Sequence, residues 1–171
     1  MWIQQVPTLI VKDKTVTKKP MTLTESMAIC EYLEEAYPTK RKLLPKDAAK
    51  RFQVRRLCEI INAGTQPVQN MSVLVEVGKR FGAEHKQPWA VWAISRGLSA
   101  LEAQLETTKG KYCLGNILTL ADVFLPAQVY NAERYQVDMS QFPAIMSVFD
   151  NLKTIPEFMA AHPSQQADAD Q

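Results

Sequence analysis

Long apolar runs, glycine and cysteine are all scarce in this sequence, and each scarcity removes a class of function. No eighteen consecutive residues are apolar, so a transmembrane helix is not expected. The first residues have neither a charged start before an apolar stretch nor an Arg-rich amphipathic segment, so no secretory signal or mitochondrial presequence is expected. Six glycines among 171 residues form no glycine-rich phosphate loop, and the two histidines, His85 and His162, stand apart with no ligand spacing around them. Neither a Ser/His/Asp grouping nor a metal-binding cluster is present. Three cysteines, Cys30, Cys58 and Cys113, cannot pair off completely, and two lie on apolar helical stripes. They read as small core residues of a reducing compartment, which makes the cytoplasm the expected location. A net charge of +2 gives no reason to invoke nucleic acid. The basic stretches Lys12 to Lys19 and Lys40 to Lys46 read as solvated loops.

What is present is a short β signal followed by helix after helix. Val6 to Val11 is a β-branched run, Lys12-Asp13-Lys14 breaks it, and Thr15-Val16-Thr17 suggests the second strand of a hairpin that Pro20 limits. From Thr24 the period becomes helical, with Met27, Ile29, Cys30 and Leu33 on one stripe and a stop at Tyr37-Pro38. Residues 39–46 are basic, contain Pro45 and have no period, so they read as a linker. Asp47 can cap a helix whose Val54, Leu57, Cys58 and Ile61 mark one buried face. Gly64 and Pro67 interrupt that helix, and helical character resumes from Asn70 to Lys79, as in one long kinked helix. Val91, Ile94, Leu98, Leu101 and Leu105 trace the clearest stripe, ending at Lys109-Gly110. Thr119 and Asp122 form a capping box for a helix reaching about Arg134. Two short helices follow, near Pro143 to Leu152 and Ile155 to Ala161, before a polar tail, 164–171, expected to be disordered. The expected organisation is therefore a small α/β unit at 1–38 and an all-helical domain at 47–163.

Four places could carry chemistry. A cis Val6-Pro7 bond would turn the Val6 N–H and C=O outward as a two-point clamp for an extended peptide ligand; an edge or strand-start proline is the plainer reading. Glu25-Ser26 at a helix start could hold an α-amino acid end, Ser26 with the helix N–H groups taking the carboxylate and Glu25 the ammonium. The same residues also suit an ordinary helix cap. In Gln66-Pro67-Val68-Gln69-Asn70-Met71-Ser72, the amides either satisfy backbone groups freed at a kink or face a ligand. Arg134 closes its helix, where a cation suits the dipole.

Taken in order, these segments resemble the cytosolic glutathione transferase fold. Gln5-Val6-Pro7-Thr8-Leu9, then Glu25-Ser26, then a linker and a helical domain with the Thr119-Leu120-Ala121-Asp122 box carry the likeness. Ile61 to Asn70 and Asn131-Ala132-Glu133-Arg134 are similar to the zeta class, which includes maleylacetoacetate isomerase. The resemblance implies a mostly α protein: a remnant of a thioredoxin-like domain (β-hairpin plus helix) followed by an all-α C-terminal domain. It implies glutathione as cofactor, held by Val6, Glu25 and Ser26 with Gln66, Asn70, Met71 and Ser72 lining the cleft. Arg134 would hold the carboxylate of a small acidic substrate. The implied reaction is isomerisation of maleylacetoacetate to fumarylacetoacetate in tyrosine and phenylalanine catabolism, performed by a homodimer with no membrane or nucleic-acid partner. The family's Ser-Ser-Cys-type motif, which stabilises the glutathione thiolate, has no counterpart here. No catalytic residue is therefore assigned, and the chain is expected to be N-terminally truncated with impaired turnover. Glu25 replaces the usual glutamine, and the hairpin is longer than the family's, with Lys18-Lys19-Pro20 as the excess. The alternative from another class is a non-catalytic, transferase-like module that binds protein partners.

Overall fold

The computed structural model describes residues 7–37, 41–167 and 169. The chain divides into two compact units, Met1–Leu44 and Pro45–Gln171.

Among the described residues the first unit is a two-stranded antiparallel sheet and one helix. Strands β1 (Thr8–Val11) and β2 (Met21–Thr24) pair Thr8 with Thr24 and Val11 with Met21. The second strand therefore lies beyond Pro20 rather than at Thr15-Val16-Thr17, and the side chain of Asp13 explains the shift. Its Oδ1 accepts from the Thr15 N–H at 2.8 Å and hydroxyl at 2.6 Å, while its carbonyl accepts from the N–H groups of Val16 and Thr17. This local turn absorbs the backbone donors that a ladder would need, so the β-branched signal loses to it. The Thr15 hydroxyl, followed by its N–H, also holds the Asp13 carboxyl below the usual carboxylate range. Helix α1 (Ser26–Ala36) follows β2 after one residue and ends at Tyr37, whose hydroxyl reaches back to Asp13 Oδ2 at 3.2 Å. The Glu34 carboxylate accepts from the N–H groups of Leu43 at 2.7 Å and Leu44 at 3.3 Å, so these two residues are pinned to α1.

Among the described residues the second unit is built from helices: α2 (Ala48–Asn62), α3 (Gln66–Gln69), α4 (Met71–Phe81), α5 (Lys86–Thr108), α6 (Leu120–Arg134), α7 (Pro143–Leu152) and α8 (Pro156–Ala160). Asp47 caps α2 by accepting from the Lys50 N–H at 2.8 Å, and Val54, Leu57, Cys58 and Ile61 form its buried face. The expected long kinked helix is instead three helices. The first break falls at Gly64-Thr65, and the second at Asn70, whose extended backbone ends α3 and whose side chain caps α4. Helix α5 is the axis of the unit, packing against α2, α3, α4, α6 and α7. Its Ile94, Leu98, Leu101 and Leu105 are almost wholly buried. Helix α6 starts with the expected capping box, and Asp122 there is fully buried, accepting from the N–H of Thr119 at 2.7 Å and of Cys113 at 2.8 Å. A single carboxylate thus fixes both the helix start and the loop before it.

Helix α7 starts at Pro143 as expected, with a cap that sequence reading missed. Pro143 has no N–H to offer, and the next two donors, on Ala144 and Ile145, go to the carboxylate of Glu102 at 2.6 and 2.9 Å. An acid buried on the apolar side of α5 therefore serves as the cap of another helix, where its charge suits the dipole. A 3-10 turn, Pro163–Gln165, follows α8, and the Gln166 side chain donates to the carbonyls of Ala160 and His162. None of the helices among the described residues is long and apolar enough to cross a membrane.

Candidate functional site

The candidate residues fall into two groups, one on each unit. Val6, the expected two-point clamp, and its bond to Pro7 lie outside the described residues. The first group is therefore Glu25 and Ser26, at the junction where β2 passes directly into α1. Glu25 has φ 71° and ψ 109°, a conformation that a residue with a β-carbon rarely adopts. The strained link turns the chain from strand to helix in one residue, and the Glu25 carbonyl still accepts the first helical bond, from the Ile29 N–H at 2.9 Å. Its side chain makes no capping hydrogen bond. Ser26 is the first residue of α1, so its hydroxyl stands at the end of the helix whose N–H groups favour an anion. An acidic side chain thus stands next to a helix N-terminus, so that a negative group and the positive end of a helix dipole are adjacent.

The second group lies on the interrupted segment of the helical unit and at the end of α6. Gln66 opens α3 and is exposed, as are Met71 and Ser72 at the start of α4. Asn70 satisfies the backbone at the break as the plainer reading required: its Oδ1 accepts from the Ser72 N–H at 3.0 Å and from the Ser72 hydroxyl at 2.9 Å. Arg134 ends α6 exposed, with its guanidinium 5.9 Å from the centre of the Tyr135 ring.

Two amides stand out beside these residues: Gln69, which sequence reading grouped with the amides of the kink, and Gln128, to which it assigned no role. Gln69 and Gln128 are buried, and each donates its Nε2 to the other's Oε1, at 3.0 and 3.1 Å. The available signal was a polar residue at an apolar position. Gln128 falls on the stripe of Leu125, Val129 and Ala132, as Glu102 falls on that of Leu98 and Leu105. The sequence marks such a residue as needing a partner but does not say which one.

None of the three cysteines forms a disulfide. Burial, followed by the nearby Asp122 carboxylate, pushes the Cys113 thiol well above its usual range, and burial with the Glu34 charge raises that of Cys30. These thiols are kept protonated rather than activated, which fits packing and not nucleophilic chemistry. Among the described residues no group of three or more His, Cys, Asp or Glu could hold a metal ion.

Residues 73–164 match the family model described as glutathione S-transferase, C-terminal domain. The chain is 45% identical over 166 residues to a probable maleylacetoacetate isomerase 2 of Drosophila melanogaster, covering 97% of this chain and 68% of the relative. It is 43% identical to the maleylacetoacetate isomerase of Rattus norvegicus, with 97% and 71% covered. A crystal structure of the maleylacetoacetate isomerase of Anaeromyxobacter dehalogenans, with dicarboxyethyl glutathione and citrate bound in its active site, superposes with a TM-score of 0.91 at 39% identity, covering 98% of this chain and 74% of that one. The chain belongs to the zeta-class, maleylacetoacetate isomerase family of glutathione transferases. The hairpin with its helix and the all-helical domain are the two parts that this membership implies.

Proposed function

We propose that this protein binds glutathione and catalyses the glutathione-dependent cis–trans isomerisation of a small acidic substrate, maleylacetoacetate, to fumarylacetoacetate. The observation that carries the reading is the Glu25-Ser26 junction: a strained, exposed acid directly before the start of an eleven-residue helix. Strain of this kind persists where the surroundings and a function require it. In this reading Ser26 and the first N–H groups of α1 take the γ-glutamyl carboxylate, and Glu25 takes its ammonium. Val6 pairs with the cysteinyl backbone. Gln66, Asn70, Met71 and Ser72 are the residues of the helical unit that take part in glutathione binding in this reading.

Bound glutathione would supply a thiolate that adds reversibly to the cis double bond, so that the bond can rotate before elimination. The chain's own task is to hold the tripeptide and the substrate in register. Arg134 serves the second purpose, since a guanidinium at a helix end can hold a carboxylate with two parallel hydrogen bonds. The dicarboxylic adduct bound by the Anaeromyxobacter relative supports an acidic substrate of this kind. Three cysteines without a disulfide suit a reducing cytoplasm. The protein acts as a homodimer in this reading. A shallow apolar groove on α2, lined by Phe52, Ile60, Ala63 and Gly64 and rimmed by Arg55, Arg56 and Glu59, supports self-association.

The test is isomerisation of maleylacetoacetate followed with and without added glutathione, beside calorimetric titration of glutathione. Turnover above the glutathione background, lost in Arg134→Ala, supports the enzyme. Binding without turnover leaves a glutathione-binding module. Equal glutathione affinity in the wild type and in Ser26→Ala removes Ser26 from the site.

A further inference from the structure

We infer that the buried Gln69–Gln128 amide pair is the positioning element of the Gln66–Ser72 segment, setting it in register with the helix that carries Arg134. This rests on the reading that the segment faces glutathione.

Helix α3 is a single turn, Gln66–Gln69, between the Gly64-Thr65 break and the extended Asn70. One isolated turn cannot hold its own geometry, because helix nucleation is unfavourable. Several contacts hold the segment from the α2 and α5 side. The Thr65 hydroxyl donates to the Ile60 carbonyl at 2.7 Å, and α5 approaches so closely that a β-carbon at Gly97 would collide with that hydroxyl. Trp89 Nε1 donates to the Val68 carbonyl at 3.0 Å, and Arg96 Nη2 to the Gly64 carbonyl at 3.2 Å. These bonds fix main-chain oxygens against α5. They do not relate the segment to α6.

The amide pair supplies that relation. Gln69 is 4% and Gln128 2% exposed, so neither amide has water as an alternative partner. Each one both donates and accepts, which fixes the plane and the flip of both groups together. A hydrophobic contact at this place could slide, whereas a two-point polar contact in a dry interior has one register. Gln128 lies six residues before Arg134 on α6, about 9 Å along a helix at 1.5 Å per residue. The pair therefore sets the spacing between a segment that lines the cofactor cleft and the arginine that holds the substrate. Reactant spacing is what a bimolecular addition depends on.

The experiment compares Gln69→Leu, Gln128→Leu and the double leucine variant with the wild type, by amide hydrogen exchange and by kinetics. The reporters are the N–H groups of Val68 and Gln69, bonded to the Thr65 carbonyl, and of Leu74, bonded to that of Asn70. Each single variant is expected to exchange at least about tenfold faster there. The double variant, with no amide left unsatisfied, should regain most of the lost thermal stability while its exchange remains fast. The KM for glutathione should rise about fivefold in the double variant, with that for the acidic substrate unchanged within about twofold, because Arg134 stays on its own intact helix. Wild-type exchange and wild-type KM in the double variant would overturn the proposal, since burial alone would then suffice. Gln128→Asn, which keeps the amide but withdraws it by one methylene, gives the same reading where a leucine does not fold: accelerated exchange supports the proposal and wild-type exchange overturns it. Failure of the wild type to bind glutathione would sink the functional reading and leave the exchange result to decide the register.

Discussion

The two units hold their polar residues in opposite ways. In the helical unit the decisive ones are buried and fully employed: Asp122 ties the start of α6 to the Cys113 loop, Glu102 caps α7, and Gln69 pairs with Gln128. In the hairpin unit the corresponding groups are at the surface, as with Asp13 in its turn, or strained, as with Glu25. Its buried apolar side chains among the described residues are Val11 and Ile29, whereas every other one lies in the helical unit. A two-stranded sheet with so little burial is marginal by itself. The helical unit is thus built for stability, while the hairpin unit carries a costly backbone conformation at Glu25.

The largest effect should come from Asp122→Ala. Two buried N–H groups and the Thr119 hydroxyl would lose a charged acceptor, at a cost of about 4 kcal/mol in urea unfolding of the helical unit. A loss below about 1 kcal/mol would mean that its burial is not what holds α6. Next, Leu98→Ala in the axis helix should cost about 3 kcal/mol. Its counterpart in the hairpin, Ile10→Ala at a side chain 56% exposed, should stay within about 0.5 kcal/mol. Equal losses from the two would erase the contrast between the units. Glu25→Gly reverses the usual sign. Relief of the positive φ should stabilise the hairpin unit by about 1 kcal/mol, read as slower hydrogen exchange of β1 and β2. Glutathione affinity should fall about tenfold in the same variant, through loss of the ammonium partner. Tighter binding with a more stable hairpin would show that the strain is not kept for this ligand.

The smallest effect concerns pH. Burial raises the Cys113 thiol in the folded state above its unfolded value. The folded state therefore retains a proton that the unfolded chain gives up, and stability present below about pH 8.5 is lost as the pH rises through and above that value. The slope is at most about 1.4 kcal/mol per pH unit, and Cys113→Ala should flatten it in unfolding curves between neutral and alkaline pH. Iodoacetamide at neutral pH should label half-buried Cys30 before Cys58 or Cys113. Simultaneous labelling would mean that the helical core opens as readily as the hairpin unit.

Much of the architecture was legible because it is periodic or local. The stripes of α2 and α5, the Asp47 cap, the Thr119-Asp122 box and the Pro143 helix start each depend on residues within a few positions of one another. The second strand was misplaced for a reason that is also local, the capture of three N–H groups by Asp13, one by its side chain and two by its carbonyl. The kinked helix became three because Asn70 prefers to cap α4 rather than continue α3. The candidate site was legible as a string of motifs: Glu25-Ser26, Gln66 to Ser72 and Arg134 were all chosen from order along the chain.

What the sequence determined by itself, then, is lineage and periodicity: which stretches are helical, where they are capped, and which family the order of its motifs resembles. Only the tertiary structure decided which buried polar group answers which. Glu102 and Ala144 are 42 residues apart, and Gln69 and Gln128 are 59 apart. A sequence shows the need for a partner as a polar residue at an apolar position. It does not name that partner, because the requirement is only that hydrogen bonds be completed once water is excluded, and folding alone brings the donor and the acceptor together.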